Sequence, residues 1–284
     1  MLALLGLIGI ALAGMALVPS AHHDASDAPA PVDPEEEAPL PVIPLDTALY
    51  GTDQAEELFG AAGDDSVLGL GGDDFLHGET GDDTISGGDG DDEISAGADD
   101  DIASGDAGND GLFGDIGDDG LFGGDGADAL NGGDGRDALY GGEGNDSLLG
   151  SFGDDALDGG DGQDVLHGGD GDDMLDGGAA DAARDYVNGG VGDDTLVGGA
   201  DDNLNGGDGA DQFGVGPVAA GHATTIEDYD DRQDQIVVYY SGKVPDLTYE
   251  VTDDGVSLFA DGASVADLPG LTGFDLRAVQ LIAA

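Results

Sequence analysis

GGDGDDMLD, Gly168 to Asp176, decides the fold, because twelve preceding units fit the same template in unbroken register back to Gly60. GGDGQDVLH (Gly159 to His167) and GGEGNDSLL (Gly141 to Leu149) are near copies. The 13 units span 117 residues without insertion or deletion. Their sixth residue is always Asp: Asp65, Asp74, Asp83, Asp92, Asp101, Asp110, Asp119, Asp128, Asp137, Asp146, Asp155, Asp164 and Asp173. Their eighth is a bulky aliphatic in 12 of the 13, as in Val67, Leu76, Ile85 and Leu121, with Ala103 the exception. A unit this short can bury its apolar residue only against neighbouring units, so the period outranks any local propensity.

One large apolar residue in nine excludes an amphipathic helix, which needs three or four in every two turns. Glycine at positions one, two and four also opposes helix, at roughly 1 kcal/mol each relative to Ala. The pattern predicts a six-residue turn followed by a three-residue strand such as Met174, Leu175 and Asp176. Strand side chains alternate between faces, so the eighth residue points inward and the seventh and ninth point outward. Stacked in parallel, such strands give two short sheets around a thin aliphatic stripe. The expected fold is all-β: a right-handed parallel β-roll, or β-solenoid, with two units per coil.

A tight turn that aims several carbonyl oxygens at one point, beside an Asp, offers an all-oxygen donor set. Ca²⁺ takes six to eight such ligands, whereas Mg²⁺ demands octahedral geometry and sheds water reluctantly. With no Cys and five scattered His, zinc and copper sites are not expected. Five basic against 64 acidic residues give a net charge of −59, which excludes ordinary nucleic-acid binding. Without metal such a chain repels itself and stays unfolded. Neighbouring carboxylates would repel by roughly 1 to 4 kcal/mol per close pair. Binding confined to the folded form makes metal-binding energy part of the folding energy.

These units resemble the nonapeptide of the RTX (hemolysin-type) family, Gly-Gly-x-Gly-x-Asp-x-(large apolar)-x, a known Ca²⁺-binding β-helix pattern. The resemblance implies a calcium-loaded parallel β-roll in a protein exported by a bacterial type I secretion apparatus.

Downstream the array is less regular. Gly177 to Asn188 carries three extra residues, Gly189 to Val197 is regular, Gly198 to Asn205 is one residue short, and Gly206 to Gly214 is regular. These four bring the count to about 17 units and add Asp185, Asp194, Asp202 and Asp211 at the sixth position. Upstream, Gly51 to Phe59 keeps the spacing with Glu56 in place of Asp, and reads as an N-terminal cap. Ala96 to Ser104 has Asp99 where the fourth glycine belongs and pairs Ile102 with Ala103, so a weakened or missing site is expected there. The expected calcium ligands are therefore the sixth-position carboxylates apart from Asp101, together with turn carbonyls. One ion per same-side gap would give on the order of 15 ions. Arg136, at a fifth position, is expected to face solvent.

Residues 1–18 contain the apolar run LALLGLIGIALAGMALV, which fits a signal peptide or a retained membrane anchor through residues 2–18. Both place the repeats outside the cytoplasm, at the cell surface or beyond it. Residues 19–48 form a linker rich in Pro and Glu. The β-roll is assigned to residues 49–214 and a β-rich cap to 215–284. In the cap, Gln235 to Tyr240, Leu247 to Thr252, Val256 to Ala260 and Ala263 to Asp267 read as strands, with a hairpin turn at Asp253 to Gly255. Asp228, Asp230, Asp231 and Asp234 could hold another ion but read more readily as a solvated acidic loop, and the apolar end resembles RTX export regions.

No HExxH or GxSxG motif is present, and the His lie in the linker, at outward repeat positions or in a loop. The expected function is therefore non-enzymatic calcium binding by a secreted or surface-attached protein. The alternative is an accessory module of an extracellular enzyme or an adhesin.

Overall fold

The computed structural model describes residues 46–178, 183–216 and 222–283. The leader or anchor at 1–18 and the linker as far as residue 45 lie outside them. Among the described residues no helix is long and apolar enough to cross a membrane.

The described chain winds into two sheets, of 12 and 13 strands, and successive strands of the array alternate between them. Leu130 lies opposite Leu112 on one side and Leu148 on the other, so each strand pairs in parallel with the strand 18 residues away. Two nonapeptides therefore make one coil, and the fold is an all-β parallel β-solenoid of about nine turns, a β-roll. Between the sheets runs a single aliphatic stripe that includes Leu112, Leu121, Leu130, Leu139 and Leu148, all buried.

The strands are longer than the repeat predicts. Thr84–Asp89 and Ala129–Asp134 each contain six residues, running from position seven of one unit through position three of the next. The glycines at positions one and two do not leave the sheet but bend it. Pairing skips position one and resumes at position two, as Gly133 with Asp115 and Ser151. The bend needs a positive φ at position two, and even Leu70 adopts it there (φ 79°). The tight turn shrinks to positions four to six.

Irregular units are absorbed without loss of register. Tyr186 pairs with Val165 across 21 residues, and Asn203 pairs with Tyr186 across 17, so the strands on either side of the long and short units keep their register. Beyond the array both sheets continue. Thr224–Ile226 extends one and Gln235–Tyr240 the other, both in parallel. Leu247–Val251, Gly255–Ala260 and Ala263–Pro269 then form an antiparallel meander at the end of the 13-stranded sheet. The apolar terminus is also a strand, Val279–Ala283, and it pairs with Gln235–Tyr240 at the end of the 12-stranded sheet. Leu271, Phe274, Val279 and Leu281 pack against the last core residues.

Candidate metal centre

Every sixth-position Asp of the array, from Asp65 to Asp211, is turned into the roll and is at most 4 % exposed. Each Oδ1 accepts a backbone N–H from the turn one coil earlier. Asp65 donates to Asp83 at 2.7 Å, Asp92 to Asp110 at 2.8 Å, and Asp137 to Asp155 at 2.8 Å. The long and short units keep the pattern, with Asp164 donating to Asp185 at 2.9 Å and Asp194 to Asp211 at 3.0 Å. The result is two ladders of carboxylates, one along each edge of the solenoid.

An opposing ladder lies on the rim. Fifth-position side chains accept the N–H of the turn one coil later, as when Asp118 donates to Asp100 at 2.9 Å and Asp193 to Asp172 at 2.9 Å. Asn109 does both, accepting from Ala127 and donating to Asp91. Arg136 faces solvent and pairs there with Asp118. Position five looks variable in sequence, but its preference for Asp and Asn was the available signal for this ladder.

The second carboxylate oxygen distinguishes a binding site from a purely structural ladder. Oδ2 of Asp65, Asp74, Asp83, Asp92, Asp101, Asp110, Asp119, Asp128, Asp137, Asp146, Asp155, Asp173 and Asp194 is buried without a hydrogen-bond partner. Leaving a buried polar atom unpaired costs about 1–3 kcal/mol, more for a charged one, so such repetition calls for a missing partner. These oxygens crowd the face of the first-position glycine. A Cβ on Gly69 would lie 2.3 Å from Oδ2 of Asp74 and 2.5 Å from the Gly87 carbonyl oxygen of the next coil. At the fourth position the coils stack carbonyl against Cα, and a Cβ on Gly144 would lie 1.4 Å from the Gly126 oxygen. Glycine is thus required for the close approach of carbonyl oxygens as well as for its φ of 146°.

From Asp74 to Asp155 burial pushes the inner carboxyls up, and it outweighs the lowering effect of the N–H each accepts. Asp101, Asp110, Asp137 and Asp173 rise to about 7, and Asp92, Asp119, Asp146 and Asp211 to about 6, with neighbouring carboxylates adding to the rise. A cation beside them would reverse the balance and hold them ionised. Among the described residues no three His, Asp or Glu side chains converge to hold a metal. An ion would therefore draw on one or two carboxylates and otherwise on backbone carbonyls. That all-oxygen, mostly neutral donor set fits Ca²⁺.

Two further residues hold ladder positions. Asp101, expected at a weak point, has the same burial, the same ladder bond and the same unpartnered oxygen as its neighbours. Asp99 supplies the positive φ that the missing glycine would have taken (φ 83°). Asp234, read as part of an acidic loop, accepts from Asp211 N–H at 3.1 Å and extends one ladder beyond the array. The signal was the residue two places on, Ile236, which occupies an eighth position opposite Phe213. The other ladder ends at Thr224, buried in the equivalent place and bonded to the Gly199 carbonyl. Among the described histidines, His77 stacks on Phe59 and His222 pairs with Asp201, both away from the inner ladders.

A parallel solenoid with glycine turns, paired coils and inward Asp ladders defines the class of calcium-binding β-rolls. The chain belongs to the RTX calcium-binding nonapeptide repeat family, whose four-copy model matches repeatedly in overlapping segments between residues 50 and 213. Among curated proteins no match is found. Among solved structures, the chain is similar to the solution structure of the AlgE6R3 subunit from the Azotobacter vinelandii mannuronan C5-epimerase. The identity is 26%, the match covers 48% of this chain and 78% of that one, and the TM-score is 0.29.

Proposed function

We propose that this protein is a non-enzymatic, exported calcium-binding protein whose β-roll assembles as Ca²⁺ enters the turns. In this reading the ligands are the inner carboxylates, Asp101 included, with backbone carbonyls of turns stacked on the same edge. The observation that carries it is the recurrence of a buried, unpartnered Asp Oδ2 in coil after coil. A net charge of −59 has to be neutralised before such coils can stack, and on the order of 15 divalent ions would remove about half of it. Residues 1–18, as a leader or an anchor, and the cap at 215–284, as an export region read by a type I apparatus, support placement outside the cell. The closed aliphatic interior and the absence of HExxH and GxSxG motifs support a role in binding rather than catalysis.

The test is far-UV circular dichroism of the full chain during a Ca²⁺ titration, with Mg²⁺ as control. A cooperative gain of β-structure with Ca²⁺ alone is expected. A β-signal already complete in chelator would sink the calcium-triggered reading.

A further inference from the structure

A shallow groove runs along the outside of the 13-stranded sheet, parallel to the solenoid axis. Two adjoining hollows of about 490 and 560 Å³ form it, and they share Ser151 and Phe152. Its floor is second-position backbone, largely glycine, which leaves room for a ligand above the sheet. One wall is built from ninth-position side chains and presents amides at Asn131, Asn188 and Asn205.

The other wall has a pattern the single repeat does not reveal. In register order it reads Ile116, Asp134, Phe152, Asp170, Val191, Asp208, an apolar residue and an acid on alternate coils. All three apolar side chains are more than half exposed (60, 59 and 52 %), although nothing in the turn or the core requires them there. Strands in a sheet lie about 4.7–4.9 Å apart, so like residues on this wall recur every ~9.4–9.8 Å. An extended β-strand presents one face every ~6.7 Å and does not match that spacing. A polyproline II helix rises ~3.1 Å per residue with three residues per turn, so every third side chain recurs at ~9.3 Å and stays in step. Its backbone makes no internal hydrogen bonds, which suits a wall of amides.

We propose that this groove binds an extended, basic, polyproline-II-like segment of a partner protein. A cationic residue at every third position meets Asp134, Asp170 and Asp208. The residues between them pack on Ile116, Phe152 and Val191. The charge of the chain repels nucleic acids and other polyanions, and a neutral glycan gains nothing from the periodic acids.

The test is fluorescence anisotropy of a labelled peptide of about 12 residues, repeating Arg-Pro-Pro, with the calcium-loaded full chain at about 0.15 M salt. A peptide of equal length and charge repeating Arg-Gly-Gly is the comparison, because it lacks the preformed helix. The Arg-Pro-Pro peptide should bind at least about tenfold more tightly. Combined Asp134→Asn, Asp170→Asn and Asp208→Asn should weaken it about tenfold or more. Asp89→Asn, Asp125→Asn and Asp161→Asn, third-position acids on the other sheet, remove the same charge and should change affinity less than about twofold. Phe152→Ser should weaken binding without altering net charge. Circular dichroism of the same samples reports whether each variant is folded with calcium, so lost binding is read only on folded protein. Equal loss in both triple variants, equal affinity for the two peptides, or displacement of the peptide by a neutral cello-oligosaccharide would each overturn the proposal.

Discussion

The backbone N–H of Asp83 donates to Oδ1 of Asp101 at 2.6 Å, although Asp101 belongs to the one unit of the regular run that lacks a fourth-position glycine. The ladder therefore passes through the irregular unit without a gap. Asp101→Ala should then destabilise the calcium-loaded protein as much as Asp119→Ala does. Each removes the acceptor of a buried N–H, at about 1–3 kcal/mol, and a ligand oxygen besides. Thermal unfolding in Ca²⁺ checks this, and a silent Asp101→Ala beside a damaging Asp119→Ala would remove that unit from the binding array.

An Asn substitution separates the two jobs of one carboxylate. Asp155→Asn keeps an oxygen to accept from Asp137 N–H but loses the charge and the second acceptor. In chelator the variant should be at least as structured as the parent, because a buried carboxyl that resists ionisation has been replaced by a neutral amide. In calcium it should need a higher Ca²⁺ concentration to fold. If both midpoints stay where they are, Asp155 is not a ligand.

The raised carboxyls set a pH dependence for the metal-free protein. Folded-state values of about 6 for Asp92, Asp119, Asp146 and Asp211, and about 7 for Asp101, Asp110, Asp137 and Asp173, lie above the ~3.9 of an exposed Asp. Between these limits the folded chain binds more protons than the unfolded one, so stability falls as pH rises. Their contribution is fully present below about pH 4 and is lost as pH passes through about 6 to 7. Acidifying the chelated protein from about pH 7.5 to 4.5 should therefore increase its β-signal. Calcium affinity should change in the opposite sense, because the same carboxyls must lose protons to bind metal. Chelated protein more structured at neutral pH than in mild acid would contradict this assignment.

The coil was legible in the sequence because one Asp and one aliphatic per nine residues admit few other arrangements. Val67 through Leu175 all fall inside, as the eighth-position rule requires. What could not be read was where turn becomes strand. Glycine signals both a turn and a bent strand, and only cross-coil pairing, as between Gly133 and Ser151, tells them apart. Asp234 was hidden for a related reason. Its spacing from Asp211 is 23 residues, outside the period, and only pairing of Ile236 with Phe213 restores the register. The groove was hidden too, because its alternation appears only when every second unit is laid side by side.

Core substitutions should act locally, since each coil contacts only its neighbours. Leu139 is fully buried between Leu121 and Leu157. Leu139→Ala should cost about 2–5 kcal/mol, because the rigid turns on both sides hinder collapse of the cavity. Hydrogen exchange in calcium should lose protection mainly in Gly120–Asp125, Ala138–Glu143 and Ala156–Asp161. Uniform loss along the whole roll would show instead that the array unfolds as a single unit.

Val279–Ala283 covers the edge of Gln235–Tyr240 along its length, with Val279 opposite Ile236 and Ala283 opposite Tyr240. An open parallel edge of this kind pairs readily with other chains. A chain ending at residue 278 should still fold in calcium, because the array and its ladders are untouched, but it should self-associate. Light scattering after size-exclusion chromatography in Ca²⁺ would detect dimers or larger species that grow with protein concentration. Lys in place of Val237 in the truncated chain offers a control, although Val237 is buried and the substitution will also cost stability. Lys at half-buried Tyr240, on the same edge, is the gentler alternative and should suppress association at a smaller penalty. A truncated chain that remains monomeric at high concentration would mean that the meander and the loop before Val279 already shield this end. The last strand would then have no protective role, and its apolar character would have to be explained by something other than edge protection.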